Sequence, residues 1–177
     1  MPVVEQFQTS ESARGVLTEV RDVLWSAFGK SFSEEDWEHS LGGHHLVVRD
    51  HDRIVAHAAV VGRRLQVGRQ DFDAGYVEGV ATRPEHQRLG HGTAVMRAVN
   101  DVLREQFDLG ALSTSQQEFY SGLGWDAWRG PCYVIQGAER VRTADEDAGL
   151  MVLRFGSSAS VDLSLPIACE TRIGDDW

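Results

Sequence analysis

Cysteine is scarce in this chain and lysine nearly absent. Cys132 and Cys169 are the only two thiols in 177 residues, too few and too far apart for a disulfide framework or a zinc site. A pair of buried thiols is the expectation. Lys30 stands alone against sixteen arginines, a skew to which no function attaches. No window reaches the roughly 18–20 apolar residues of a membrane span, and Met1–Gln8 lacks the basic and apolar regions of a secretory leader. A cytoplasmic location is therefore expected. Positive charge is outweighed: 17 Lys and Arg against 27 Asp and Glu leave a net −10. That balance argues against nucleic acid, whose phosphates need a basic face, and suits a cationic small molecule steered into an acidic cleft. Internal repeats, low-complexity tracts and clear linkers are missing too, so residues 1–177 read as a single domain with a sizeable core.

What is present follows the periods of secondary structure. Val16, Leu17, Val20, Val23, Leu24, Ala27 and Phe28 keep helical spacing and predict an amphipathic first helix. Ser33-Glu34-Glu35-Asp36 is an N-cap with an acid three residues on, opening a short helix that Gly42-Gly43 stops. Strands are expected at His45–Arg49, Ile54–Val61, Arg64–Gly68 and Gly75–Ala81, with Asp50–Arg53 as a hairpin turn. A long helix follows from about Gly90 to Gln106, with Val95, Ala98, Val99, Val102 and Leu103 inward. Further strands are expected at Leu109–Ser113, Gly124–Trp128, Cys132–Gln136, Leu150–Phe155 and Ser160–Leu165, with a short helix over Gln116–Leu123 and an acidic loop over Thr143–Gly149. The pattern is that of a mixed α/β or α+β domain.

The most informative segment is Tyr76–Gly92, Tyr-Val-Glu-Gly-Val-Ala-Thr-Arg-Pro-Glu-His-Gln-Arg-Leu-Gly-His-Gly. An apolar strand carrying one carboxylate, Glu78, runs into a turn with Gln87-x-x-Gly90-x-Gly92, which opens the long helix. Glycines there let backbone N–H groups crowd an anion, and the helix N-terminus adds its positive dipole end. A pyrophosphate fits. The dinucleotide fingerprint is excluded by the missing third glycine, and a P-loop by the missing Lys-Ser/Thr. The plain alternative is an ordinary glycine turn.

Taken whole, this string resembles the pyrophosphate-binding motif of the GNAT acetyltransferase superfamily, which the chain matches at all three fixed positions, Gln87, Gly90 and Gly92. Asp36–Gly43, His57–Val60, Gly75–Val80, Leu109–Ser113 and the closing Gly174-Asp175-Asp176-Trp177 extend the likeness. Together these segments resemble the aminoglycoside 2′-N-acetyltransferases, a GNAT branch, from about Val20 to Trp177. The resemblance implies the GNAT acyl-CoA N-acyltransferase fold, a mixed central sheet flanked by helices, with acetyl-CoA as cosubstrate and no metal. It implies a cationic aminoglycoside as acceptor and a role in antibiotic resistance. It carries an expectation of a homodimer.

The same resemblance implies residue roles. Val80, Ala81 and Thr82 would hold the thioester and pantetheine arm, and Gln87, Arg88, Leu89, Gly90, His91 and Gly92 the pyrophosphate. An amide at Val80 would face the oxyanion, an interaction able to lower a barrier by about 3 kcal/mol. Glu78 would take a proton from the attacking amine, directly or through water; otherwise it is a solvated or ion-paired strand carboxylate. Tyr120 would protonate the departing thiolate; otherwise it packs its short helix. Ser31, Asp36, Gly79, Ser113, Glu146, Asp175 and Trp177 would face the antibiotic, with Trp177 contributing its own carboxylate; otherwise the last residues are a frayed tail. Of Asp145, Glu146 and Asp147, Glu146 is favoured. Relatives carry Phe-x-Gly-Asp-Phe where this chain reads Phe28-Gly29-Lys30-Ser31-Phe32, replacing an amine-binding acid with Ser31 beside a cation. That change favours an aminoglycoside with fewer amines or a carboxyl group, such as kasugamycin, over gentamicin or tobramycin. Two rivals stand beside this reading: a GNAT acting on a polyamine, amino sugar or peptide, and a non-catalytic CoA-binding module. His44, His45 and His57 are expected to be structural.

Overall fold

The computed structural model describes residues 2–177. In chain order the elements are β1 (Val4–Gln8), α1 (Arg14–Phe28), α2 (Glu34–His39), β2 (His44–Asp50), β3 (Arg53–Val67), β4 (Gln70–Thr82) and α3 (His91–Gln106). There follow β5 (Leu109–Ser113), α4 (Gln117–Ser121), β6 (Asp126–Ala127), β7 (Cys132–Gln136), β8 (Glu139–Arg142), β9 (Leu150–Arg154) and β10 (Ile167–Glu170). Contacts group the chain into two compact units, residues 1–61 with 77–101 and residues 62–76 with 102–177. β3, β4 and α3 each run from one unit into the other. Among the described residues no helix is long and apolar enough to cross a membrane.

In the first unit β1 pairs antiparallel with β2, and β2 with the start of β3. Helix α1 buries Val20, Val23 and Leu24 completely against Trp37, Val47, Ile54 and Ala81. Each such aliphatic side chain contributes about 1.5–3 kcal/mol relative to exposure. The capping box of α2 forms: the Asp36 N–H donates to Ser33 Oγ at 3.1 Å, and the Ser33 N–H donates to Asp36 Oδ2 at 2.8 Å. Such a cap contributes about 1 kcal/mol.

In the second unit the strand order is β6-β9-β5-β4-β3-β10-β7-β8. β5 lies parallel to β4 and antiparallel to β9; β10 lies parallel to β7 and antiparallel to β3. Mixed pairing of this kind, with helices between strands, is the expected α/β class. Leu103 of α3 packs where Gly75 and Gly110 have no side chain: a Cβ on either would lie 2.2 or 2.8 Å from it.

The elements differ from expectation in identifiable places. The two strands expected around Val61 and Arg64 are one, because Gly62 continues the ladder. The strand expected over Ser160–Leu165 is absent. There Asp162 Oδ1 accepts from the Ser164 N–H at 2.9 Å and the Ser164 hydroxyl at 2.7 Å, a side-chain turn that competes with strand pairing. The strand comes after Pro166, as β10. The strand expected over Gly124–Trp128 shrinks to the two residues of β6. β1 and β8 were not expected; β8, Glu-Arg-Val-Arg, is exposed at all four positions and carries little apolar signal.

Candidate functional site

β4 ends in a local break of the strand pattern. Gly79 has φ +56°, a left-handed residue inside a strand, which kinks the chain. Only glycine fits: a Cβ would lie 2.9 Å from Ser40 Oγ and 3.1 Å from Leu24 Cδ2. Glu78, Gly79 and Val80 are all half-buried here, whereas the preceding Val77 is buried. The Gly79 carbonyl accepts a hydrogen bond of 2.7 Å from His57 Nδ1. The kink therefore falls between the carboxylate and the amide that the family resemblance sets at the reacting atoms.

The turn beyond is built to present amides. Arg83, buried, anchors it by donating from Nε to the Ile54 carbonyl at 2.8 Å, and Gln87 Nε2 donates to the Thr82 carbonyl at 3.2 Å. Arg88 and Gly90 then adopt φ +61° and +85°. A non-glycine residue in that region is uncommon and marks a conformation imposed by its surroundings. Gln87 through Gly90 are exposed, and a Cβ on Gly90 would meet nothing within 4 Å. Glycine is needed there for its φ. α3 starts at His91, and its first main-chain bond is Ala94 N–H to the Gly90 carbonyl at 3.0 Å. The amides before Ala94 lack an intrahelical acceptor and, with the Arg88 guanidinium, suit a diphosphate.

Ser31 and Asp36 also belong to the first unit. Ser31 is exposed, and its hydroxyl donates to the Phe28 carbonyl at 2.6 Å. Asp36 is half-buried, with Oδ2 held by the α2 cap.

In the second unit Tyr120 sits on α4 with 7% of its surface exposed, edge-on to Phe119 and Trp125. Burial pushes its phenol up to about 12, so it stays a proton donor at working pH. Ser113, at the end of β5, donates to Glu146 Oε2 at 3.4 Å. The Glu146 carboxyl is shifted up, first by burial and then by the charges of Asp175, Asp145 and Asp176. Asp147 is otherwise engaged: it ion-pairs with Arg142 and accepts from the Cys132 N–H, and Arg142 holds its carboxyl at about 2.

The segment over 172–177 is pinned, not frayed. Trp177, 4% exposed, donates its indole N–H to Thr143 Oγ1 at 3.2 Å. The Asp176 carbonyl accepts from Arg63 at 2.7 Å, its carboxylate accepts from Thr171 and the Arg172 N–H, and the Asp175 carbonyl accepts from Arg172 at 2.6 Å. Asp175 Oδ1 accepts from the Trp177 N–H. Asp175, Asp145 and Asp176 thus lie near enough to Glu146 to raise its carboxyl, and their combined field is one that attracts cations.

Burial raises the thiols of Cys132 and Cys169 to about 12 and 11, so neither is a ready nucleophile. Among the described residues no three His, Cys, Asp or Glu side chains are placed to hold a metal. A cleft of about 540 Å³ in the second unit, between Arg63, Arg64, Asp73, Phe107 and Arg172, holds none of the residues expected in the site.

The contact between His57 and Gly79 was not foreseen. The strand register brings it about: His45 and His57 lie on one face of adjoining strands, since His45 opposes Ala59 and Val47 opposes His57.

Compared with known proteins, residues 11–128 match the family model of the acetyltransferase (GNAT) domain. The chain is 43% identical over 174 residues to an aminoglycoside 2′-N-acetyltransferase of Mycolicibacterium fortuitum, covering 96% of this chain and 86% of that one. In fold it is similar to the GNAT family N-acetyltransferase YhbS of Escherichia coli, solved with CoA: TM-score 0.70, 12% identity, 98% of this chain and 93% of that chain. It is also similar to a GNAT acetyltransferase of Brucella melitensis solved with acetyl-CoA: TM-score 0.60, 16% identity, 89% of this chain and 92% of that chain.

Proposed function

The chain belongs to the GNAT acetyltransferase family, and from that premise we propose that it transfers the acetyl group of acetyl-CoA to the 2′-amine of an aminoglycoside. The observation that carries the acceptor is the 43% identity, over nearly the whole chain, to the 2′-N-acetyltransferase of M. fortuitum. The kinked end of β4 and the amide-rich turn into α3 support the acetyl-CoA half, and the acids around Glu146 support a cationic acceptor.

In this reading transfer is direct, within a ternary complex. Glu78 takes a proton from the ammonium, directly or through water, so that the neutral amine can attack the thioester carbon. The amide of Val80 holds the oxyanion of the tetrahedral species. When that species collapses the C–S bond breaks, and Tyr120 gives its proton to the sulfur of CoA. Residues 1–177 act as one catalytic domain, a reading supported by β3, β4 and α3 running through both units. Association as a homodimer rests on the family resemblance alone, and a cytoplasmic location on the leader-free sequence of Met1–Gln8 and the lack of an apolar span.

Ser31 and Lys30 shape the choice of acceptor. Both are exposed, and where relatives carry an acid this chain sets a hydroxyl beside an ammonium. A substrate with fewer amines or a carboxyl group, kasugamycin for example, meets less repulsion there than gentamicin does.

The test is CoA release with gentamicin, tobramycin, neomycin, kanamycin A and kasugamycin. Turnover of the 2′-amino compounds but not of kanamycin A, which carries a 2′-hydroxyl, is expected. Much faster turnover of gentamicin than of kasugamycin would remove the reading of Ser31. Silence across the panel would remove the aminoglycoside.

A further inference from the structure

Two histidines absent from the proposed machinery form a buried chain that ends on the kink of β4. The Thr9 hydroxyl lies 2.8 Å from His45 Nε2, His45 Nδ1 lies 3.0 Å from His57 Nε2, and His57 Nδ1 lies 2.7 Å from the Gly79 carbonyl. His45 and His57 are both fully buried. A carbonyl can only accept, so Nδ1 of His57 carries the proton. With a neutral ring, His57 Nε2 is then a lone pair and His45 Nδ1 must donate to it. His45 Nε2 is a lone pair in turn, and the Thr9 hydroxyl, which also lies 3.2 Å from the Gly43 carbonyl, donates to the nearer nitrogen. The Thr9 oxygen is held for this by the Gly42 N–H at 3.0 Å. One acceptor therefore fixes the tautomer of two rings and the rotor of a hydroxyl. Burial holds the two rings neutral, lowering His45 to about 4 and His57 to about 3, with His44 adding to the first shift and His45 to the second.

The carbonyl at the end of this chain belongs to the one residue of the Glu78–Val80 trio with φ in the left-handed region. The Gly79 carbonyl and the Val80 N–H are two ends of one planar peptide group. Fixing the carbonyl therefore fixes the direction of the amide assigned to the oxyanion. Ser40 Oγ, Leu24 and the His57 ring all pack against the Cβ position of Gly79, so side chains fill the space beside the kink and His57 adds the hydrogen bond that sets its rotation.

We propose that His57 is a positioning residue for acetyl transfer: its Nδ1–H, committed by the Thr9–His45–His57 chain, clamps the Gly79–Val80 peptide so that the Val80 amide faces the reacting carbonyl and Glu78 stays beside it. This rests on the acetyl-transfer reading given under Proposed function.

The experiment compares two substitutions that remove the ring equally. Asparagine at position 57 places an amide N–H as many bonds from Cβ as Nδ1 stands, within reach of the Gly79 carbonyl. Glutamine places its polar end one bond further, near where Nε2 stands. His57→Asn is expected to keep kcat within about fivefold of the parent, and His57→Gln to lose about 100-fold, the scale on which a 1 Å misplacement acts. The KM for acetyl-CoA should move by less than about threefold in both. A merely structural histidine predicts equal losses, and equal losses, or no loss in either, would overturn the proposal. Should His57→Gln fail to fold, ¹⁵N NMR of histidine-labelled parent protein decides. Nδ1-protonated, Nε2-bare rings at both His45 and His57 between about pH 6 and 8 are expected, and an Nε2–H or doubly protonated His57 overturns the clamp. A parent protein that releases no CoA with any amine overturns the acetyl-transfer reading and the proposal together; an active parent with equal Asn and Gln losses overturns the proposal alone.

Discussion

Burial keeps the Tyr120 phenol protonated up to about pH 12. A donor at this position is loaded throughout the range in which the protein is expected to be folded, so kcat should show no basic limb from Tyr120 below about pH 10. Tyr120→Phe is expected to lower kcat by about 10–100-fold with acetyl-CoA KM little changed, as loss of a general acid does; equal loss in both constants would place Tyr120 in binding instead. The histidine pair makes a second prediction. Both rings have folded-state pKa values below the ordinary 6.5, at about 4 and about 3. Below pH 6.5 the unfolded chain takes up protons that the folded chain refuses, so stability falls as pH drops from about 6.5 towards 4. The expected slope is about 1.4 kcal/mol per pH unit for each histidine. Urea midpoints at pH 7 and 5 measure it, and His57→Asn should remove roughly half the slope. None of this was legible in the sequence, where His45 and His57 read as ordinary strand residues. The physical reason is that burial, and for each ring the charge of a neighbouring histidine, sets their protonation.

Among the elements, the turn between β4 and α3 is the one whose sequence and geometry agree most closely. Gln87-x-x-Gly90-x-Gly92 demanded a backbone that only glycine adopts cheaply, and Gly90 indeed has φ +85°. Gly90→Val places a β-branched side chain in that region, at a strain of about 1–3 kcal/mol. Its expected effect is a rise of about tenfold or more in acetyl-CoA KM, with the acceptor KM little changed; an unaltered acetyl-CoA KM would move the diphosphate elsewhere. The α2 cap was equally readable, because Ser33 and Asp36 stand three residues apart and meet within one turn. β8 and β10 were not: one is polar at the sheet edge, and the other is displaced by the side-chain turn at Asp162.

For the whole molecule, net charge and the acids around Glu146 act together. Raising ionic strength should raise the KM for a polycationic acceptor several-fold, because screening shortens the reach of the field to about 8 Å at 0.15 M and less beyond. Acetyl-CoA KM should respond differently if the amides of the turn hold the diphosphate as proposed; parallel changes in both would deny the acid cluster its role. Trp177→Ala should raise acceptor KM more than acetyl-CoA KM, since Trp177 closes on Thr143 beside the acidic loop. The sequence by itself determined the α/β class, most helix limits and the glycine turn ahead of α3. Those follow from periodicity and from φ requirements, which act between residues a few positions apart. Tertiary structure alone decided that residues 172–177 are pinned by Arg63, Arg172 and Thr143, that Asp147 is spent on Arg142, and that His57 reaches Gly79. Each depends on strand register or loop packing, which bring together groups that no short-range pattern links.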